Sequence, residues 1–190
     1  MKRWLAAAAF ILAAITAVTA TEIGGVNLPD RAQVGGSDLV LNGGGIRVKF
    51  GLAKVYVAAL YVAQKTGDAG AVISAATPRR VHLAMLRDVA ADTLQESLIE
   101  ALKENTSAAE FQGFQPRIKQ MSAIFSAAKE AKRGDAILLD LLPGKGTQIT
   151  VRGQAKDIIA GDDFANALLK IWLGPKPVSP DLKKGLLGGK

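Results

Sequence analysis

The run from Leu41 to Arg47, which reads Leu-Asn-Gly-Gly-Gly-Ile-Arg, is the feature that most restricts the fold of this chain. Three successive glycines permit positive φ angles or a close approach of neighbouring backbone. The arginine follows in a strand-like segment, where a buried charge needs a partner. The next segment, Val55–Val62, is apolar on both faces yet contains Tyr56 and Tyr61, which indicates a buried strand with two polar groups. A guanidinium and a phenol beside an apolar sheet are the groups that a pocket for an amphipathic carboxylate would need.

Strand alternation assigns these side chains to faces. Ile46 and Val48 share one face of their strand, and Arg47 points to the other. Arg47 is then either a surface charge or the cation of a pocket, and both readings fit the pattern. Tyr56 and Tyr61 lie on opposite faces of the following strand, so only one of them can face the pocket.

The first twenty residues have the pattern of a signal peptide. Lys2-Arg3 is a basic start, Trp4–Val18 is apolar, and small residues end at Ala20. The apolar stretch has 15 residues, whereas a membrane-spanning helix needs about 20. We therefore expect a cleaved signal peptide over residues 1–20, a periplasmic or secreted domain over 21–190 and no stable membrane span after cleavage. An uncleaved N-terminal anchor is the alternative.

Composition excludes several classes of site. The chain has no cysteine and one histidine, His82, which excludes disulfides, thiolate metal sites, multi-histidine metal sites and histidine triads. Without Lys2 and Arg3, 22 basic and 17 acidic residues remain, an excess of +5. The basic residues form no concentrated stripe and aromatic content is 5%, so nucleic-acid binding is not predicted. We predict no metal and no cofactor, and we make no prediction of oligomeric state.

The order of elements indicates an α+β fold. Strand patterns come first, helical patterns occupy the middle, and two strands and a helix follow. The predicted fold is an antiparallel β-sheet covered on one face by a layer of helices, an open-faced β-sandwich. Strands are predicted at Glu22–Val26, Asp38–Leu41, Ile46–Phe50, Val55–Val62, Val81–Val89, Ala136–Leu142 and Thr147–Val151.

Three local signals mark helix starts in the middle of the chain. Asp92–Gln95 and Ser107–Glu110 both have the spacing of a capping box. Pro116 is well placed for the first turn of a third helix. A last long helix begins at Asp162 or Asp163 and ends at Gly174.

The segment Leu41–Val62 resembles the chalcone isomerase family. In that family a glycine-rich turn and an arginine precede a strand that begins with lysine and carries a later tyrosine. Here Arg47, Lys54 and Tyr61 fill those places. The similar order of the later elements extends the resemblance over 26–188.

The resemblance also separates two kinds of relative. In plant members that cyclise chalcones, the arginine matched by Arg47 steers the phenolate, and a threonine, a tyrosine and an asparagine complete the site. In this chain Tyr56 stands at the threonine's place, and the segment from Asp92 to Ala101 contains no tyrosine or asparagine. The positions that would carry them are occupied by Thr93, Leu94, Glu100 and Ala101.

The plant fatty-acid-binding relatives offer a different match. In them an arginine and a tyrosine hold a carboxylate at an apolar cavity, and Arg47 and Tyr56 supply that pair. The resemblance thus implies a non-catalytic binder of a small amphipathic anion such as a fatty acid, with Arg47 and Tyr56 as ligand-binding residues. An isomerase or intramolecular lyase of the chalcone isomerase type is the first alternative. The second is a haem protein with His82 as the axial ligand, because some mitochondrial relatives with this fold resemble haem proteins.

Overall fold

The computed structural model describes residues 19–189. Residues 1–18, most of the predicted signal peptide, lie outside this range, so that peptide stays a prediction. No helix in the described range combines the length and the apolarity needed to cross a bilayer.

Strands and helices alternate in blocks along the described chain. The strands are β1 (Ala20–Ile23), β2 (Val26–Pro29), β3 (Arg31–Val34), β4 (Ser37–Lys49), β5 (Ala53–Val62), β6 (Arg79–Met85), β7 (Val89–Ala90), β8 (Glu130–Ala131), β9 (Ala136–Leu142), β10 (Gly146–Val151), β11 (Gln154–Ala155) and β12 (Ile159–Ala160). The helices are α1 (Ala69–Ile73), α2 (Ala91–Glu104), α3 (Ala108–Gly113), α4 (Gln115–Ala128), α5 (Asp162–Leu173) and α6 (Pro180–Leu186).

One antiparallel sheet organises the domain. Its order is β11-β10-β9-β6-β5-β4-β3, and β12 also pairs with β10. Two small antiparallel pairs, β1 with β2 and β7 with β8, lie outside it. Helices α2, α4, α5 and α6 pack their apolar residues on one face of the sheet. The predicted α+β fold, with helices covering one face, is confirmed.

The central strand β5 contributes to two separate cores. Tyr56 and Leu60 face the helices, in what we call the helix-side core. Val57 and Tyr61 face the other way and pack with Leu28 of β2, in what we call the hairpin-side core. The predicted placement of the two tyrosines on opposite faces is confirmed.

The two tyrosine hydroxyls have different surroundings. The indole N–H of Trp172 in α5 donates a 3.1 Å hydrogen bond to the hydroxyl oxygen of Tyr56. The hydroxyl of Tyr61 is buried and has no hydrogen-bond partner among the described residues. Burial raises the pKa of Tyr61 to about 12, because a phenolate loses its hydration there.

The triple glycine does not form a turn. The prediction that it separates two strands, Asp38–Leu41 and Ile46–Phe50, was therefore wrong. Gly43, Gly44 and Gly45 lie within the continuous strand β4, next to a bulge at Asn42. Their function is close packing, because a Cβ on Gly43 would overlap the carbonyl oxygen of Gly185 in α6. The glycines thus let a helix backbone lie directly on a strand.

Asn42 fixes the same contact from the side. Its amide nitrogen donates to the carbonyl of Leu186 at 2.7 Å and to that of Thr66 at 3.0 Å. Its carbonyl oxygen accepts from the backbone N–H of Thr66 at 2.8 Å. A 7% exposed amide therefore joins the end of α6 to β4 and to the loop after β5.

Other local predictions had mixed outcomes. The single strand Glu22–Val26 was wrong, because Gly24 and Gly25 both adopt positive φ and fold this segment into the β1–β2 hairpin. The strand predicted over Val81–Val89 ends at Met85.

Of the helix starts predicted in the middle of the chain, two were confirmed and one was wrong. The capping box of Ser107 and Glu110 is confirmed, and α4 begins beside Pro116 as predicted. The capping box at Asp92 was wrong, because α2 begins one residue earlier, at Ala91, without a side-chain cap.

We predict that Gly43→Ala lowers the free energy of unfolding by about 1–3 kcal/mol, because the added methyl group overpacks the contact between β4 and α6. Gly113→Ala is the matched control, since a Cβ there meets no atom within 4 Å. Urea unfolding followed by circular dichroism measures both variants. Equal stability of the two variants would contradict this account of the glycines.

The tyrosines provide a second matched pair. Tyr56→Phe leaves the buried N–H of Trp172 without its acceptor, so we expect a loss of about 1–3 kcal/mol in unfolding free energy. Tyr61→Phe removes a hydroxyl that has no partner among residues 19–189, and we expect a change within about 0.5 kcal/mol or a small gain. The same urea titrations test this, and equal losses in both variants would disprove the distinction.

Candidate functional site

A cleft of about 640 Å³ opens between the β4–β5 hairpin and α2. Its size is within the range of about 300–1,000 Å³ usual for small-molecule pockets. Much of the lining is apolar and comes from the hairpin, from α2 and from the segment before α6. The apolar members include Val55, Val89, Leu94, Leu98, Ala101 and Val178.

Arg47 and Tyr56 meet at this cleft. They are direct cross-strand partners in the β4–β5 register, and both line the cleft. Directly opposed residues on one sheet face have Cβ atoms about 4.5–5.5 Å apart. Ile46 points to the hairpin-side core, as strand alternation predicted. The structure therefore places Arg47 as a half-buried cation beside a phenol and not as an isolated surface charge.

The glycine run explains why Arg47 reaches the cleft. Gly43, Gly45 and Arg47 are alternate residues of β4 and share its helix-side face. A Cβ on Gly43 would meet α6, and one on Gly45 would meet Leu182 of the same helix. Arg47 is the next residue on that face, past the part of β4 that α6 covers, and its side chain lines the open cleft.

Tyr56 offers a hydrogen-bond donor. Its oxygen accepts from Trp172, and no acceptor for its own proton occurs among residues 19–189. Burial raises the pKa of Tyr56, although the Trp172 hydrogen bond and the charge of Arg47 oppose that shift. The phenol therefore remains neutral near pH 7 and can donate to an anion in the cleft.

Arg47 retains capacity for an anion. One guanidinium nitrogen donates to the carbonyl of Val48 at 2.5 Å. No carboxylate in the described range lies within 4.0 Å of it, in contrast to Arg80, which forms a buried bidentate pair with Asp140. A guanidinium without a carboxylate partner is suited to bidentate binding of one.

The rim of the cleft carries charges of both signs. Lys49, Arg87 and Lys176 are basic, and Asp88, Glu100 and Glu104 are acidic. Two of the acids are engaged already: Glu104 pairs with Lys176 at 2.8 Å, and Asp88 accepts from the backbone N–H of Arg133 at 2.7 Å. Anions approaching the cleft therefore meet the cations Arg47, Lys49 and Arg87, and they are opposed by the carboxylates Asp88 and Glu100.

The four α2 positions compared above all belong to the lining. Thr93, Leu94, Glu100 and Ala101 face the cleft. Leu94 and Ala101 are apolar, and neither Thr93 nor Glu100 supplies the amide or phenol found in the plant isomerases. The α2 wall is therefore mixed, with Leu94, Leu98 and Ala101 available to an apolar chain and with polar side chains that include Ser97 beside them.

Two residues that hold parts of the cleft in place, Trp172 and Asn105, were not predicted from the sequence. Trp172 falls within the last predicted helix, where no role was assigned to it. The available signal was the rule that a buried indole N–H usually has a hydrogen-bond partner. Asn105, at the end of α2, donates to the carbonyl of Lys176 at 2.7 Å and accepts from its N–H at 3.0 Å. It thereby fixes the segment that leads to Pro177 and Val178 in the wall of the cleft.

His82 does not belong to this site. It alternates with Val81 and Leu83, which face the helix-side core, so it lies on the opposite face of β6. Burial and the neighbouring charge of Arg80 lower the pKa of His82. The haem hypothesis gains no support from the cleft, and no cluster of three potential metal ligands occurs in the part of the chain that the structure describes.

Comparisons with known proteins agree with this architecture. The structure is similar to the crystal structure of a fatty-acid binding protein from Arabidopsis thaliana, with a TM-score of 0.66 and 16% sequence identity, covering 86% of this chain and 92% of that chain. At this identity the likeness shows the fold alone. No curated protein matches the sequence. The family model described as chalcone isomerase-like matches residues 20–188. The chain therefore belongs to the chalcone isomerase-like family.

Proposed function

We propose that this protein is an exported, non-catalytic binder of a small amphipathic anion such as a fatty acid. The carboxylate would lie between Arg47 and Tyr56, and the acyl chain would extend along the apolar wall of the cleft. The observation that carries the proposal is the cross-strand pair itself: a guanidinium free of carboxylates in the described range stands opposite a phenol with an unused proton, beside about 640 Å³ of open cleft. The similar Arabidopsis structure is that of a fatty-acid binding protein, which supports the choice of ligand class.

Physical chemistry supports binding without catalysis. Hydrogen bonds to a charged group contribute about 1.5–3 kcal/mol each, and each buried methylene adds about 0.8 kcal/mol. Together these contributions give useful affinity for a medium-length acyl chain. Export of the domain rests on the N-terminal sequence pattern, and detection of processed protein in the periplasm or the medium tests it.

Native mass spectrometry of protein purified from cells tests the central proposal. We expect co-purified masses that match acyl carboxylates. A ligand-free spectrum together with no fatty-acid binding at ~1 mM, an affinity weaker than about −4 kcal/mol, would refute it. Arg47-dependent cyclisation of an added chalcone would instead identify an isomerase.

Arg47→Gln should weaken fatty-acid binding by about 10- to 100-fold, because it removes a charge-assisted hydrogen bond. Arg47→Lys should give an intermediate loss, since it keeps the charge but not the bidentate geometry. Isothermal titration calorimetry with decanoate measures both. Arg31→Gln is the matched control, because Arg31 is exposed on β3 and does not line the cleft. Unchanged affinity in Arg47→Gln would exclude Arg47 as the anchor.

Chain length should control affinity. Each added methylene of a saturated fatty acid should strengthen binding by about fourfold, which corresponds to about 0.8 kcal/mol, until the cleft is full. Decylamine should bind far more weakly than decanoate, because Arg47 repels its ammonium group. Titration of a series of fatty acids checks this. A flat dependence on length, or equal binding of amine and acid, would contradict it.

A further inference from the structure

The tip of the β4–β5 hairpin exposes apolar side chains that the fold does not use. We define the tip as Lys49, Phe50, Gly51, Leu52 and Lys54. Phe50 is 88% exposed and Leu52 is 91% exposed. Among residues 19–189 the next most exposed large apolar side chain is that of Ile158, which is 37% exposed. Two neighbouring, almost fully exposed apolar groups at a loop end are typical of an interaction site.

The backbone of the tip is also unfavourable for its sequence. Phe50 has φ of 53° and Gly51 has φ of 71°. Glycine adopts such angles freely, whereas a bulky aromatic residue does so only at an energetic cost. Asparagine or glycine would suit position 50 better as a turn residue. Phe50 is therefore not explained by turn stability or by burial.

The hairpin segment that forms the tip carries charges of one sign, whereas the acidic residues of the cleft rim belong to other segments. The stretch from Leu39 to Gly67 contains no acidic residue and four basic ones, Arg47, Lys49, Lys54 and Lys65. The ammonium group of Lys49 lies 5.3 Å from the centre of the Phe50 ring, so a cation and an aromatic ring are presented together. Apolar groups flanked by lysines match a bilayer with anionic headgroups, in which the rings and methyl groups enter the apolar layer and the ammonium groups meet the phosphates.

The tip also forms one side of the cleft. Lys49 and Phe50 belong to its lining, and Arg47 lies two residues before Lys49 in β4, about 7 Å away by strand geometry. A surface that contacted Phe50 and Leu52 would therefore lie next to the opening through which an acyl chain passes.

We propose that the tip docks the protein on an anionic lipid bilayer, so that the cleft takes up or releases its ligand at the membrane surface. This inference rests on the proposed function, because a membrane is the reservoir of amphipathic carboxylates. The apolar side chains supply one binding signal and the lysines a second, and reversible membrane association usually needs such a combination.

Vesicle flotation tests the docking, with phosphatidylcholine vesicles that contain or lack phosphatidylglycerol. We expect binding to the anionic vesicles at least about fivefold above that to the neutral ones, as lysines at an anionic surface provide. Raising the ionic strength from about 0.05 M to about 0.5 M should abolish most of the difference. Equal binding to both kinds of vesicle would overturn the proposal.

Variants assign the effect to the tip. Leu52→Asp and Lys54→Glu should each reduce binding to anionic vesicles by at least about fivefold. Ile158→Asp and Lys119→Glu are matched controls at exposed positions away from the tip and should bind like the wild type. Residues 1–18 are the same in every variant, so a difference between variants reports the tip. Wild-type binding by Leu52→Asp would refute the proposal.

Failure of docking can be told apart from failure of ligand binding. Leu52 and Lys54 do not line the cleft, so both variants should bind monomeric decanoate from solution with wild-type affinity while taking it up more slowly from anionic vesicles. Normal uptake rates in both variants would show that the tip does not deliver ligand. If the wild type binds no decanoate from solution, the proposed function fails, and with it this inference.

Discussion

The contact between α6 and the glycines of β4 is the constraint on which the rest of the site depends. With no side chains at Gly43 and Gly45, the helix lies directly on the strand. Asn42 holds the end of the helix there by donating to the carbonyl of Leu186, and it also donates to the carbonyl of Thr66 in the loop after β5. The helix-side face of β4 is therefore closed as far as Gly45 and open from Arg47 onward. The position at which the helix stops covering the strand decides where the cleft begins.

The register between β4 and β5 then gives the cleft its chemistry. It sets Arg47 opposite Tyr56, and α5 brings Trp172 to the phenol oxygen. Because the indole N–H occupies the oxygen as acceptor, the hydroxyl proton points to no other group in the described structure and can serve a ligand. The cleft thus combines a cation, a neutral donor and apolar side chains, which are the groups that the proposed amphipathic anion would need.

Sequence signals for helix starts gave correct predictions where the interactions that fix the conformation lie within the same short segment. The Ser107 capping box and the start of α4 at Pro116 depend on groups within one helical turn. Predictions from such local signals were wrong where contacts with a distant element fix the conformation. The glycines of β4 have turn composition, but a helix more than a hundred residues later requires them in a strand. Asp92 has the spacing of a cap, yet the helix begins before it, at Ala91, directly after the strand β7 that pairs with β8.

The sequence by itself determined the α+β class, through the order of its strand and helix patterns. It also determined that Tyr56 and Tyr61, and likewise Arg47 and Ile46, lie on opposite faces of their strands, because alternation along a strand follows from backbone geometry alone. It also supplied Arg47 and Tyr56 as candidates. Only the tertiary structure decided that these two are partners, that Trp172 leaves the phenol proton free and that α6 covers β4 only as far as Gly45. Those facts depend on strand register and on contacts between residues far apart in the chain, which no local pattern encodes.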